Sequence, residues 1–355
     1  MKSAFIAFFC LCVAGCAQSP RTPEPAAMHI VAAAWQTGVT VADERPGYTS
    51  AEAESTYIHL KEIGVRWVAL TPGAFIADVH SPVIRWRAHD NFASAIDMLH
   101  KQGIAVMIKP YLWSAQFYRE GLWTGDIAMT SDADWKTFFQ NYSAFIMNYA
   151  NVAEQSGAEM LCVGLELPKT IGHVDEWNAL IKNVRSVYHG KLTYASAGLD
   201  EAKSVSFWND LDFIGVNAYF HLTDDTMPTE QELCDAWMPI GMQLDSLSKK
   251  HGKKIIFTEA GYRSCVGTAC KPWEWVERNS KPVDVQQQAL CYDVLCKCLF
   301  DKSWFAGIYW WKYYPEMTAG GQNDEDFTPQ NKPAEVVMKK WFCEKDSLSA
   351  AKGIE

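Results

Sequence analysis

The chain has 355 residues, of which 48% are hydrophobic, and its formal net charge is −10. This composition supplies enough apolar side chains for one large core. The acidic balance argues against nucleic acid or an anionic membrane surface as the main partner, because both require a basic protein surface.

The first sixteen residues have the pattern of an export signal. A basic start is followed by an apolar run over residues 4–13, which is too short to span a bilayer as a helix. The run ends in the letters VAGC, which resemble the lipobox of bacterial lipoproteins, where the signal peptide is cut before an acylated cysteine. We predict a signal peptide over residues 1–15, a lipid on Cys16 and a Pro-rich tether over residues 16–27. Because no Asp follows Cys16, we expect the bacterial outer membrane; the alternative is an ordinary signal peptide cut elsewhere.

From residue 28 onward, short apolar segments alternate with amphipathic helical segments. Apolar runs of five to seven residues are typical of parallel strands that are buried on both faces. Eight such runs are present, and we predict strands over His29–Trp35, Val65–Leu70, Ala105–Lys109, Met160–Glu166, Lys191–Ser196, Phe213–Tyr219, Lys254–Glu259 and Gly307–Trp311.

Helical spacing predicts the segments between these strands. The letters TSAE at residues 49–52 form a capping-box pattern that opens a helix ending at Gly64. Further helices are predicted over residues 90–103, 132–156, 175–188, 202–209, 230–250, 283–301 and 333–342. Alternation of eight strands and eight helices predicts a single-domain α/β (β/α)8 TIM barrel over residues 28–343, followed by a tail over residues 344–355. An open, doubly wound sheet is the second possibility, since a strand count does not prove closure.

The sequence indicates neither a metal site nor a cofactor. The His and Cys residues lack zinc-ligand spacing, and no Gly-rich phosphate-binding motif is present. Cys265 and Cys270 flank a short glycine-containing loop and can form a disulfide after export.

Two carboxylates end predicted strands. Glu166 ends the fourth strand and Glu259 the seventh, and in a (β/α)8 barrel the carboxyl ends of the strands carry the active site. Either residue alone is explained equally well by a structural ion pair with Lys109 or Arg263. Together they match retaining glycosidases, which place two carboxyl groups about 5–5.5 Å apart around one glycosidic bond.

The chain resembles glycoside hydrolase family 113, a family of retaining (β/α)8 glycosidases whose characterised activity is β-mannanase. The resemblance covers residues 28–342 and is carried by the order and spacing of short motifs. They are VGLEL at 163–167, Trp177 with VRSVY at 184–188, LTYA at 192–195, FWN at 207–209, DFIGVNAY at 212–219, FTEAGYRS at 257–264, YWW at 309–311, FTP at 327–329 and KPA at 332–334. The resemblance implies Glu166 as acid/base, Glu259 as nucleophile and a β-mannan or related β-glycan as substrate.

One position departs from the pattern of this clan. Its enzymes commonly carry Asn immediately before the acid/base, where the amide binds the sugar 2-hydroxyl. This chain has Leu165, which donates no hydrogen bond. A different sugar at the cleavage site, or slow turnover, is compatible with this change.

Seven further residues are candidates for substrate binding at the mouth. Tyr219 resembles the clan tyrosine that binds the nucleophile, and Lys109 can bind sugar hydroxyls or pair with a carboxylate. Because neighbouring strand residues face opposite ways, only one of two successive tryptophans is expected to form a sugar platform. The full set is Trp35, Lys109, Trp113, Asn217, Tyr219, Trp310 and Trp311.

Three functions are compatible with these features. The first is a retaining hydrolase of oligo- or polysaccharides, which the pair of glutamates favours. The second is a surface lipoprotein that binds glycans on a degenerate barrel, which Leu165 favours. The third, a structural lipoprotein, leaves the two glutamates unexplained. The oligomeric state is left open.

Overall fold

The computed structural model describes residue 30 and residues 32–42, 47–87 and 92–351. The predicted signal peptide, Cys16 and the tether lie outside the described residues. Eight parallel strands close into a barrel. Successive strands of the chain pair with each other, and the first strand, β1, pairs with the last, β8, to close the barrel. In chain order, β1–β8 are Gln36–Val41, Trp67–Leu70, Ala105–Ile108, Met160–Leu165, Lys191–Ser196, Ile214–Asn217, Ile255–Ala260 and Phe305–Tyr313. The barrel confirms the predicted fold class.

Helices surround the barrel and cover the outer face of its strands. In chain order, α1–α9 are Ala51–Glu62, Phe92–Lys101, Ala115–Glu120, Asp132–Ser156, Val174–Arg185, Gly198–Ser204, Glu230–His251, Val285–Leu299 and Pro333–Ala351. Short 3₁₀ helices are present at Thr124–Asp126 and Trp208–Asp210. Three short strands outside the barrel, Gly73–Ile76, Ile84–Arg85 and Tyr111–Trp113, form a small sheet beside the ends of β2 and β3.

The buried apolar residues form two separate clusters, one inside the barrel and one between barrel and helices. Alternate positions of β2 divide between them: Trp67 and Ala69 point into the barrel, whereas Val68 and Leu70 pack against the helices. This division follows from the two-residue side-chain period of a strand. It decides which residue at each strand end can reach the barrel mouth.

Several predicted boundaries were wrong. The first strand is Gln36–Val41 rather than His29–Trp35, because the earlier apolar run lies before the barrel. The N-cap of α1 is Ser50, whose side chain accepts the Ala53 N–H at 3.0 Å, so the capping box proposed at residues 49–52 is not the cap. The last helix runs to Ala351, well beyond its predicted end. The short helix α3 and the small sheet were not predicted.

The eight cysteines that the structure describes are all free thiols. The suggested bridge between Cys265 and Cys270 is not formed. Cys265 is held in an isolated antiparallel bridge with Val283, while the Cys270 thiol donates to the carbonyl oxygen of Asp225 at 3.3 Å. Among the described residues, no helix combines the length and apolarity that crossing a membrane requires.

Candidate active site

Glu259 lies at the end of β7, where donors approach both of its carboxyl oxygens. The Lys109 ammonium donates to Oε1 at 2.5 Å, and the Tyr219 hydroxyl donates to Oε2 at 2.9 Å. Lys109 also donates to the carbonyl oxygen of Thr258 at 3.1 Å, which fixes its ammonium beside the strand end. One cation and one hydroxyl thus donate charge-assisted hydrogen bonds to this carboxyl group.

Tyr219 remains a neutral donor in this arrangement. Burial and the negative charge of Glu259 raise the pKa of its phenol well above the usual value. The phenol therefore keeps its proton directed at Glu259 throughout the ordinary pH range.

Glu166 follows β4 and has a different environment. Burial, together with the negative charge of Glu259, raises the pKa of Glu166 to about 8. One donor opposes this shift: the Asn217 amide N–H donates to Oε1 of Glu166 at 2.8 Å. A pKa of about 8 leaves this carboxyl largely protonated at neutral pH, as a general acid requires.

A short chain of hydrogen bonds connects the two carboxyls. The Asn217 side chain donates to Glu166 and accepts the hydroxyl proton of Thr258 at 2.8 Å, and Thr258 immediately precedes Glu259. Because the Asn217 amide oxygen accepts the hydrogen bond from Thr258, the amide nitrogen is the atom that faces Glu166. Asn217 is itself buried, and through these two hydrogen bonds it positions the ends of β4 and β7.

The backbone after Glu166 is held by a second buried pair that the sequence analysis did not identify. The Tyr194 hydroxyl accepts the N–H of Leu167 at 2.9 Å and donates to Oε1 of Glu201 at 2.5 Å. Glu166 itself has a positive φ of 52°, which is unusual for a residue other than glycine. Tyr194 and Glu201 therefore stabilise the turn that presents Glu166. Tyr194 was noticed only as part of a motif, and no sequence signal linked it to Glu201.

The two successive tryptophans of β8 have different positions. Trp310 is fully buried and stacks on Tyr292 of α8 at 3.7 Å, so it cannot form a sugar platform. Trp311 is only partly buried and lies at the mouth, with the Lys109 ammonium 5.5 Å from its ring centre. Trp113, also at the mouth, is 43% exposed. Trp311 and Trp113 are thus available to a ligand, whereas Trp310 belongs to the core.

One further candidate for substrate contact, Trp35, was misplaced by the sequence analysis. Trp35 precedes β1 and packs against Phe300 and Phe305 at the opposite end of the barrel from Glu166 and Glu259. Its placement in a mouth loop followed from the misassigned first strand. Lys109 is completely buried and pairs with Glu259. Of the two roles predicted for Lys109, binding of sugar hydroxyls or pairing with a carboxylate, the structure shows the pairing.

Leu165 packs inside the barrel. It belongs to the interior apolar cluster, with Cys162 and Ala195 among its members, and is 9% exposed. The floor of the site beside Glu166 is therefore apolar where the clan has an amide. Within the described ranges, no group of three or more His, Cys, Asp or Glu residues is arranged to hold a metal ion.

A (β/α)8 barrel that carries two carboxyl groups of unequal environment at its mouth has the architecture of a glycoside hydrolase. The sequence model of Glycoside Hydrolase Family 113 matches residues 39–332. The chain belongs to glycoside hydrolase family 113, and it is a glycosidase of oligo- or polysaccharides.

Solved structures agree with this assignment. The family 113 β-mannanase AaManA from Alicyclobacillus acidocaldarius is 26% identical, with a TM-score of 0.78 over 88% of this chain and 98% of that one. A family 113 β-1,4-mannanase is 25% identical, with a TM-score of 0.76 over 87% of this chain and 99% of that one. A β-glucuronidase from Faecalibacterium prausnitzii, at 14% identity and a TM-score of 0.59, shares the fold over 87% of this chain and 49% of that one. No curated protein matched the chain.

Proposed function

We propose that this glycosidase cleaves β-linked glycans with retention of configuration, with Glu166 as acid/base and Glu259 as nucleophile. The observation that carries the proposal is the difference between the two carboxyl environments. Glu259 receives donors from Lys109 and Tyr219, which suit a nucleophile that must be ionised. Glu166 has a pKa of about 8, which suits an acid that must hold its proton.

The reaction has two steps. In the first, an oxygen of Glu259 attacks the anomeric carbon, the glycosidic bond breaks, and the departing oxygen takes the proton of Glu166. In the second, a water oxygen attacks the same carbon, its proton passes to Glu166, and the bond to Glu259 breaks. The covalent intermediate removes the negative charge of Glu259, so the pKa of Glu166 falls and this residue can act as a base. Retention requires carboxyl oxygens about 5–5.5 Å apart, and we propose that separation here.

Azide rescue distinguishes the two roles. With a 4-nitrophenyl β-glycoside, Glu259→Ala should lose hydrolysis because no glycosyl–enzyme forms. Glu166→Ala should form the intermediate and then stall, since this leaving group needs little protonation, and azide should restore turnover and yield the β-glycosyl azide. Azide that rescues only Glu259→Ala and gives an α product would reverse the two assignments.

For the substrate, we propose a β-mannan or a related β-glycan. The two family 113 structures described above are β-mannanases, which supports mannan. Because the side chain of Leu165 cannot donate a hydrogen bond to the sugar 2-hydroxyl, we propose that cleavage depends less on this hydroxyl than in enzymes with Asn at this position. Aryl β-mannosides with and without the 2-hydroxyl test this point. The wild type should discriminate weakly between them, and Leu165→Asn should increase the preference for the intact sugar.

We further propose that the protein is an envelope lipoprotein anchored through Cys16 and located at the outer membrane. The proposal depends on the lipobox-like junction and the Pro-rich segment that follows it. A single acyl chain binds membranes marginally, so stable anchoring requires two or more chains.

A further inference from the structure

Two helices on the outside of the barrel, α7 and α8, hold a pair of thiols in contact. The sulfur atoms of Cys234 on α7 and Cys298 on α8 are 3.5 Å apart, and the Cys298 thiol donates to the Cys234 sulfur. The two residues are 64 positions apart in the chain. The contact therefore results from packing of the two helices and not from local structure.

Contacts on either side of Cys234 along α7 show how closely the two helices approach. Before it, the Glu230 carboxylate forms an ion pair with the Lys297 ammonium of α8. After it, Gly241 faces Leu299 of α8, where a Cβ atom at position 241 would lie 3.6 Å from the Leu299 side chain. The two sulfur atoms thus meet inside a packed interface between helices.

The separation of the two sulfur atoms is close to what a disulfide requires. A disulfide bond is about 2.0 Å long, so each sulfur atom has to move by about 0.7 Å from its position here. A rotation of about 25° about the Cα–Cβ bond moves a cysteine sulfur that far without displacing the helix. Both residues are partly exposed, so a reagent can reach them, whereas Cys291 and Cys296 of the same helix are buried.

The two thiols differ in their readiness to react. Burial, and after it the hydrogen bond with Cys234, raises the pKa of the Cys298 thiol. Because the thiolate is the nucleophile in thiol chemistry, a thiol with a raised pKa is slow to attack a reagent from solution. Cys298 is suited instead to attack a neighbouring sulfur atom that is already held beside it, since proximity replaces the encounter.

We propose that Cys234 and Cys298 form a redox site, which a low-molecular-weight disulfide oxidises to a disulfide bond between α7 and α8. The Cys234 thiol loses its proton and attacks one sulfur of the oxidant, whose S–S bond breaks and releases one thiol. The Cys298 sulfur, on losing its proton, then attacks Cys234 in this mixed disulfide and releases the second thiol. Overall, the two cysteines lose two hydrogen atoms and the oxidant gains them. The predicted export signal would place the chain where such oxidants persist.

The bond would stabilise the part of the barrel that carries Glu259. The closed loop spans the 64 positions between the two cysteines and contains β7. A disulfide restricts the unfolded chain, and more strongly when the closed loop is long. The helices it joins pack on neighbouring strands, since Trp237 of α7 stacks on Phe257 of β7 with ring centres 6.2 Å apart. We therefore expect the oxidised protein to unfold at a higher temperature than the reduced protein.

The test uses oxidised glutathione as the oxidant. The purified wild-type protein is reduced with dithiothreitol, freed of it, and incubated with oxidised glutathione well below its melting temperature. It is then digested at acidic pH, where thiol exchange stops, and its peptides are mapped by mass spectrometry without reduction. We expect the peptides of Cys234 and Cys298 to be joined, with a mass two hydrogen atoms below their sum. The melting temperature should rise by about 5 °C, and dithiothreitol should reverse both changes.

Cys343→Ser is the matched control, because Cys343 is also a partly buried cysteine but lies on α9. It should form the cross-link as the wild type does, whereas Cys234→Ser and Cys298→Ser should lack both the cross-link and the rise in melting temperature. Unmodified thiols at both positions of the wild type, a lasting glutathione adduct on Cys234, or a cross-link through another pair overturns the redox site. A cross-link that leaves the melting temperature unchanged overturns the stabilisation. The peptide masses do not depend on glycoside cleavage, so this result is independent of the proposed function.

Discussion

The ion pair between Lys109 and Glu259 provides the most direct test of how the proposed nucleophile is held. Lys109→Met keeps an unbranched side chain of similar length but removes the ammonium, which lies 2.5 Å from Oε1 of Glu259. Removing one partner of a buried ion pair costs about 3–5 kcal/mol, because the other charge is left without compensation. This cost is in the free energy of unfolding, so we expect Lys109→Met to lower the melting temperature. Because Glu259 loses its cationic partner and retains only the hydroxyl of Tyr219 of its two donors, we also expect kcat/KM to fall by more than about tenfold.

The assay is the release of nitrophenol from a 4-nitrophenyl β-glycoside, followed before the steady state so that attack by the nucleophile is observed separately. The first step should be slowed, since the Lys109 ammonium donates directly to the carboxyl group proposed as nucleophile. Lys169→Met is the matched control: Lys169 pairs with Asp126 at 3.2 Å, but its side chain is half exposed, and exposed pairs contribute little. If Lys109→Met retained kcat/KM within a factor of ten and melted at the wild-type temperature, this account of the nucleophile would be refuted.

Three further predictions concern other parts of the molecule. Asn217→Ala removes the donor that lowers the pKa of Glu166. In the pH profile of kcat/KM we place the alkaline limb of the wild type near pH 8, and this limb should move to higher pH in the variant. A limb that stays in place would belong to another titrating group. Trp310→Ala should lower the free energy of unfolding by about 3–5 kcal/mol, as burial of a large aromatic side chain implies, while Trp311→Ala should raise KM with little change in stability. Differential scanning fluorimetry measures the stability of both variants and steady-state kinetics measures their KM. Equal losses of stability in the two variants would contradict the different positions given to Trp310 and Trp311. Cys16→Ser should release the protein from the membrane fraction, and unchanged membrane association would exclude the lipid anchor.

Features with a local cause were predictable from the sequence. Strands buried on both faces produce continuous apolar runs, so seven of the eight strands were located within a few residues. The first strand was missed because an apolar segment precedes it and gives the same signal. The glutamates at the ends of the fourth and seventh strands were also visible, since a carboxylate at the end of an apolar run is costly unless it has a role.

Features that depend on which residues meet were decided only by the tertiary structure. A run of aromatic residues does not reveal which side chain faces the barrel mouth, and it is the register of β8 that buries Trp310 and leaves Trp311 accessible. Lys109 and Glu259 are 150 residues apart in the chain, and closure of the barrel brings their charges together. Cys234 and Cys298 are 64 positions apart, and packing of α7 against α8 brings their sulfur atoms into contact. Local periodicity specifies strands and helices, whereas pairing of distant charges and access to the site follow from three-dimensional packing.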